Sequence, residues 1–162
     1  MSRDWPADEP KLHLLRATID DAGELLTVQR AAYVSEALLY DNPHLPPLTQ
    51  TLAELRGDLV ADPALKAMLG ARIVGTVRVR EDGDLLHVGR LAVAPDQQAR
   101  GLGTALLLAA EDLAGAAVRT FALFTGADSE ANLRLYARCG YREVGREALP
   151  TGPGLIHLHK PR

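Results

Sequence analysis

Hydrophobic positions along the chain follow two rhythms, and the changes between them mark the elements. Lys11 to Ala17 (KLHLLRA) reads as a first strand, and Thr18-Ile19-Asp20-Asp21 turns from it into a helix with Asp20 or Asp21 as N-cap. Leu25, Leu26, Val28, Gln29, Ala32 and Tyr33 share helical spacing and carry that helix to about Leu39. Asp41 to Pro47 holds three prolines and breaks it. Leu52, Leu55 and Leu59 then line one face of a second helix, from about Thr51 to Ala61. Three strands follow: Lys66 to Ala71, Ile73 to Arg80 and Leu85 to Ala94, the last two joined by a hairpin turn at Glu81-Asp82-Gly83-Asp84. In the middle strand Ile73, Gly75, Val77 and Val79 alternate with Thr76, Arg78 and Arg80, which predicts one exposed face. Gly103 to Ala114 is apolar on nearly every side and predicts a buried helix. Beyond it come a strand at Thr120 to Thr125 and a helix at Ser129 to Cys139, capped by Asp128 or Ser129 and ended by Gly140. Two final strands, Tyr141 to Arg146 and Leu155 to His159, flank a Pro- and Gly-rich turn.

The order is β-α-α-β-β-β-α-β-α-β-β. A doubly wound parallel sheet would alternate strand and helix throughout, so a mixed α+β sheet fits better. At 162 residues, with 47% hydrophobic and 24% charged, the chain predicts one domain with a real core, 11–162, after a polar arm over 1–10 in which Trp5 has no assignable place. A net charge of -3 gives no reason to expect nucleic acid or an anionic membrane as partner. One cysteine, Cys139, allows no internal disulfide and fits a reducing, cytoplasmic setting, as does the lack of a signal-like start or a long apolar run. Cys139 has no His or acid at a telling spacing and reads as packing.

Candidate chemistry concentrates in Val93-Ala94-Pro95-Asp96-Gln97-Gln98-Ala99-Arg100-Gly101-Leu102-Gly103-Thr104-Ala105-Leu106, a strand end, a turn, a basic Gly-bearing loop and a helix start. Glycines there let the backbone turn and approach a ligand, and the helix offers free N–H groups with the positive end of its dipole. Such a loop suits an anion, most naturally a pyrophosphate, although glycines at a tight connection also serve packing alone. A P-loop is excluded, because Thr104 follows Gly103 with no Lys between them. A dinucleotide fingerprint is excluded by Leu106, where a third Gly is needed.

The segment resembles the acyl-CoA signature of the GNAT superfamily of N-acyltransferases, Gln/Arg-x-x-Gly-x-Gly/Ala after a strand ending in Val-x-Pro. Gln98, Gly101 and Gly103 fill it, and Val93 and Pro95 stand at the expected distance upstream. The element order is also that of the superfamily, so the resemblance covers nearly the whole chain. It implies a central, mostly antiparallel sheet of six to seven strands flanked by four helices. It implies acetyl-CoA as co-substrate, no metal, a primary amine of a small molecule or peptide as acceptor, direct transfer, and a possible homodimer.

By the same resemblance the amides of Gln98, Ala99, Arg100, Gly101, Leu102, Gly103 and Thr104 surround the pyrophosphate. The strand before the loop splays from its neighbour and offers backbone groups at Leu91 and Val93 to the pantetheine arm and the thioester carbonyl. Asn132 and Tyr136, four apart on the last helix, match an Asn-x-x-x-Tyr pattern in which the Asn contacts the cofactor arm and the Tyr protonates the CoA sulfur. Superfamily members with a carboxylate base commonly carry Glu where this chain has His87. Simple alternation puts His87 on one strand face with Gly89, Leu91 and Val93, and an imidazole can take a proton from an ammonium. Glu36 and Glu81 are the other base candidates. The first two helices and their connection wall the acceptor pocket in this superfamily, which points to Tyr33, Glu36 and Tyr40, with Asp41, Asn42 and His44 nearby. Carboxylates there suit a cationic amine; Arg78, Arg80 and Arg90 suit an anionic substrate instead. A non-catalytic acyl-CoA-binding module would keep the loop without needing His87 or Tyr136.

Overall fold

The computed structural model describes residues 10–162, so Trp5 and all of the expected arm but Pro10 lie outside the described residues. Strand β1 (Leu12–Arg16) runs into a short 3-10 turn, Ile19–Asp21. There the Thr18 backbone N–H donates to Asp21 Oδ2 at 2.7 Å, so Asp21 closes a capping box with Thr18 rather than capping alone. Helix α1 (Ala22–Tyr40) stops where Asp41 turns left-handed, φ 46°. The proline segment does more than break it: Pro46, preset for a first helical position, starts a single turn, α2 (Pro46–Thr49). Thr51 and Glu54 then form a second capping box, with bonds of 2.8 and 3.2 Å, and open α3 (Leu52–Ala61).

Strands β2 (Ala64–Leu69), β3 (Arg72–Asp82) and β4 (Leu85–Val93) form a meander. Helix α4 (Leu102–Glu111), β5 (Thr120–Gly126), α5 (Glu130–Arg138), β6 (Arg142–Glu147) and β7 (Leu155–Pro161) complete the fold. One seven-stranded sheet has the order β1-β2-β3-β4-β5-β7-β6. Its pairs are antiparallel except β4 with β5, which is parallel. The mixed sheet and its flanking helices match expectation, with α2 as an added turn.

Each face of the sheet has its own core. Leu102, Leu106, Leu107 and Ala110 of α4 and Tyr136 of α5 pack on one face against Val77, Val79, Leu86 and Val88. Ala22, Leu25, Leu26 and Val28 of α1 with Leu55 of α3 pack on the other face against Ile73. Strand β3 therefore has no exposed face over its first half, contrary to the alternation in its sequence. Helices cover both of its faces, and a register shift where Ala67 and Met68 oppose Gly75 and Ile73 divides its residues between the two cores. It flips the parity, so Ile73 joins the smaller core while Val77 and Val79 join the larger.

A second shift reorganises β4. Arg78 pairs with Gly89 and Thr76 with Ala92, so Arg90 and Leu91 together oppose Val77. Arg90 takes up the extra residue with a left-handed backbone, φ 52°. Leu86 and Val88 before this bulge and Leu91 and Val93 after it all pack into the same core. Even positions thus give way to odd ones, and His87 is not on the face of Leu91 and Val93. A period-two pattern cannot register an inserted residue. No helix among the described residues is long and apolar enough to cross a membrane.

Candidate active site

The parallel ladder between β4 and β5 is short: Leu85, Leu86 and His87 pair with Thr120, Phe121 and Ala122, and no pairs follow. Beyond it the two strands part. The bulge at Arg90 and Leu91 bends one wall of the opening, and Leu123 to Gly126 form the other. The gap widens into a cavity of about 640 Å³, a size suited to a small-molecule site. Tyr33, Glu36 and Tyr40 of α1 line it, with Leu91 of β4 and Asn132 and Tyr136 of α5. Six of the residues expected to act are thereby brought together.

Tyr136 is 7% exposed, and its ring meets Tyr141 edge-on at 6.2 Å. Its hydroxyl has no hydrogen-bond partner among the described residues. Burial pushes its phenol well above the ordinary tyrosine value, and the nearby Tyr33 and Glu36 push the same way. The phenol therefore keeps its proton at neutral pH. Burial also raises the Tyr33 phenol, against the pull of the Arg90 charge. Asn132 Nδ2 donates to Thr125 Oγ1 at 3.2 Å across the mouth of the β5–α5 turn.

A chain of hydrogen bonds holds Glu36. The Asp128 backbone N–H donates to the Tyr40 oxygen at 3.1 Å, and Ser129 Oγ donates to Glu36 Oε2 at 2.6 Å. Ser129 has then spent its proton, so in the 2.6 Å contact between the two hydroxyls Tyr40 is the donor. Burial raises the Tyr40 phenol, in keeping with that role. The relay fastens the end of α1 to the β5–α5 turn and fixes one carboxylate oxygen of Glu36. Gly126 permits it, because a Cβ there would overlap the Tyr40 hydroxyl. The sequence shows Ser129 only as a helix cap; in the fold its side chain makes no cap bond and turns to Glu36. Nothing local in sequence signals a contact across 93 positions.

The Gly-bearing loop stands beside the cavity, not in its wall. A 3-10 turn, Pro95–Gln97, leads into it, and Gln98 Nε2 ties back to the Val93 carbonyl at 3.1 Å. Arg100 Nη1 donates to Gln97 Oε1 at 2.7 Å. Ala99 and Gly101 both take left-handed backbones, φ 61° and 84°. For Ala99 this costs on the order of 1–2 kcal/mol, strain of the kind that collects at ligand sites. The helical ladder begins with Ala105 N–H donating to the Gly101 carbonyl at 3.1 Å. The amides of Leu102, Gly103 and Thr104 precede it and point out of the helix start. A Cβ on Gly103 would lie 3.4 Å from Leu135 Cδ2 of α5, so this glycine sits where α4 and α5 pack together. The donor set at the helix start fits a pyrophosphate. Burial pushes the Cys139 thiol up, which leaves it a packing group.

Two of the expected strand residues do not line this cavity. Val93 is held in the sheet opposite Gly75, and its carbonyl receives Gln98. His87 lines a neighbouring cavity of about 760 Å³ with Arg80 and His157, with its Nε2 3.9 Å from Asp82 Oδ2. Only Val88, Gly89, Arg90, Leu123 and Phe124 line both cavities. Among the described residues no cluster of three or more His, Cys, Asp or Glu side chains is placed to hold a metal ion.

Comparison with known proteins gives a consistent result. Residues 19–141 match the acetyltransferase (GNAT) family. The chain is 34% identical over 144 residues to a mycothiol acetyltransferase of Clavibacter michiganensis subsp. michiganensis. That alignment takes in 82% of this chain but 43% of the relative, so the chain spans less than half of that protein's length. Among solved structures, the PaiA N-acetyltransferase of Thermoplasma acidophilum in complex with coenzyme A superposes with a TM-score of 0.75 at 15% identity, over 94% of this chain and 99% of that one. The ribosomal-protein-S18-alanine N-acetyltransferase of Escherichia coli superposes with a TM-score of 0.73 at 19% identity, over 93% and 94%. At these identities the two structures share the fold.

Proposed function

The chain belongs to the acetyltransferase (GNAT) family, and from that premise we propose that it moves an acetyl group from acetyl-CoA directly to a primary amine of a small molecule or peptide. One observation carries the proposal: the sheet parts beside a helix start with free amides and beside a buried tyrosine hydroxyl that has no partner among the described residues. The amides of Gln98 to Thr104 hold the pyrophosphate, with Arg100 adding charge. The backbone of the Leu91 segment, free of β5, receives the arm and polarises the thioester carbonyl. Glu36 accepts the proton from the ammonium; it shares the cavity with Tyr136, whereas His87 does not. The amine nitrogen bonds to the acetyl carbon, the carbon–sulfur bond breaks, the Tyr136 hydroxyl protonates the departing thiolate, the second proton shed by the new amide nitrogen restores that hydroxyl, and Glu36 releases its own proton to solvent.

Calorimetric titration with acetyl-CoA, with ATP and NAD as controls, tests the base of the proposal. Selective, saturable binding that is lost in Gly103→Glu is the expected result, because that side chain fills the cradle with bulk and negative charge. No binding by folded wild-type protein overturns the proposal. Binding without thiol release in the presence of any amine converts it to an acyl-CoA-binding module.

A further inference from the structure

Three arginines rise from β3 and β4 at this end of the sheet, and two are already taken. Arg78 Nη1 lies 2.5 Å from Asp58 Oδ2, and Arg80 Nε lies 3.1 Å from Asp62 Oδ2. Arg90 is different. It is half-buried and lines both cavities, yet makes no ion pair or hydrogen bond among the described residues. Its left-handed backbone at the bulge is a conformation that a non-glycine residue adopts at a cost, and bulges beside active sites re-aim side chains. Glu36 shares the first cavity with it but does not neutralise it; its fixed oxygen is bonded to Ser129 instead. Tyr33 lies within electrostatic reach of both charges. One cavity therefore presents a carboxylate and a guanidinium that do not pair with each other, and Tyr136 lines it with them.

We propose that the acceptor is an amine that also carries a carboxylate, an amino acid or a close relative, and that Arg90 selects it by pairing with that carboxylate while the amine faces Glu36. The planar guanidinium fork matches a carboxylate in two parallel hydrogen bonds, which an ammonium or an amide cannot reproduce. This rests on the acetyltransferase reading and narrows its substrate class.

The test compares thiol release from acetyl-CoA with the common amino acids and with the α-amide of each. Wild-type protein is expected to favour the free acid of its preferred pair by about 10- to 100-fold in kcat/KM, the range for hydrogen bonds to a charged group. Arg90→Asn removes the charge while tolerating the left-handed backbone, and is expected to bring that ratio close to one with acetyl-CoA affinity kept. Arg90→Lys, which keeps charge without the fork, is expected to fall between them. Equal or better turnover of amides by the wild type, or a ratio that survives in both variants, overturns the inference and leaves the acetyltransferase reading intact. Failure of folded wild type to bind acetyl-CoA overturns both.

Discussion

Replacing Tyr136 by Phe separates chemistry from structure unusually well here, because the hydroxyl has no partner among the described residues to lose. The ring is 7% exposed and packs on Tyr141, and Phe keeps those contacts. Removing a desolvated hydroxyl that makes no hydrogen bond relieves a penalty of about 1–3 kcal/mol when water is absent and costs nothing when water is present. Stability in urea should therefore stay level or rise. Turnover should move the other way. A positioned general acid contributes about 10²- to 10⁴-fold, or roughly 3–5 kcal/mol of barrier. The low end applies here, since a thiolate is itself a tolerable leaving group. The assay is thiol release at saturating acetyl-CoA, with calorimetry showing unchanged affinity for the cofactor. Amines of graded nucleophilicity establish that chemistry limits the rate. An unaltered rate under that condition refutes the acid role. A rate loss matched by a lower urea midpoint refutes it as well, because Tyr136 would then be acting through packing.

Glu36→Gln should lower turnover by at least about 10²-fold with the fold kept, since the Gln oxygen can still accept from Ser129; His87→Ala should change it little, and the reverse ranking would hand the base role to His87. Gly126→Ala should cost about 1–3 kcal/mol by driving a Cβ into the Tyr40 hydroxyl, seen as a lower urea midpoint, and an unchanged midpoint would mean that Tyr40 is not docked there. All four tyrosines, Tyr33, Tyr40, Tyr136 and Tyr141, are raised above their ordinary value of 10.0, chiefly by burial. Above that pH the unfolded chain surrenders phenolic protons that the folded chain keeps, so stability, complete below it, should fall as pH rises further. A urea midpoint that stays flat through that range would contradict the burial of these hydroxyls.

Local signals made most of the framework readable in advance. Helix spacing and the Gly83 hairpin depend on neighbours a few positions apart, and the structure keeps them. Gly101 was legible for the same reason, since a left-handed turn leaves its mark in the residue type. The bulge at Arg90 and Leu91 was not, because it is a relation between two strands and neither strand alone records it. That one insertion puts His87 on the opposite face of β4 from Leu91 and Val93. The proline segment concealed a helical turn because Pro ends one helix and begins another with equal ease. Ser129 and Gly126 escaped notice because what they touch, Tyr40 and Glu36, arrives from the far end of a helix.

An unpaired strand edge is usually a hazard at the margin of a sheet, where another chain can add to it and start aggregation. The margins here are guarded: β1 has only five residues, and four of the six in β6 are Arg142, Glu143, Arg146 and Glu147. The unguarded backbone lies instead in the middle of the sheet, between β4 and β5, shielded by other strands on both sides. A foreign strand cannot slide in alongside it, while a thin flexible ligand can enter end-on. The fold thus keeps exposed the hydrogen-bonding groups it needs, at the one location where exposure does not invite self-association.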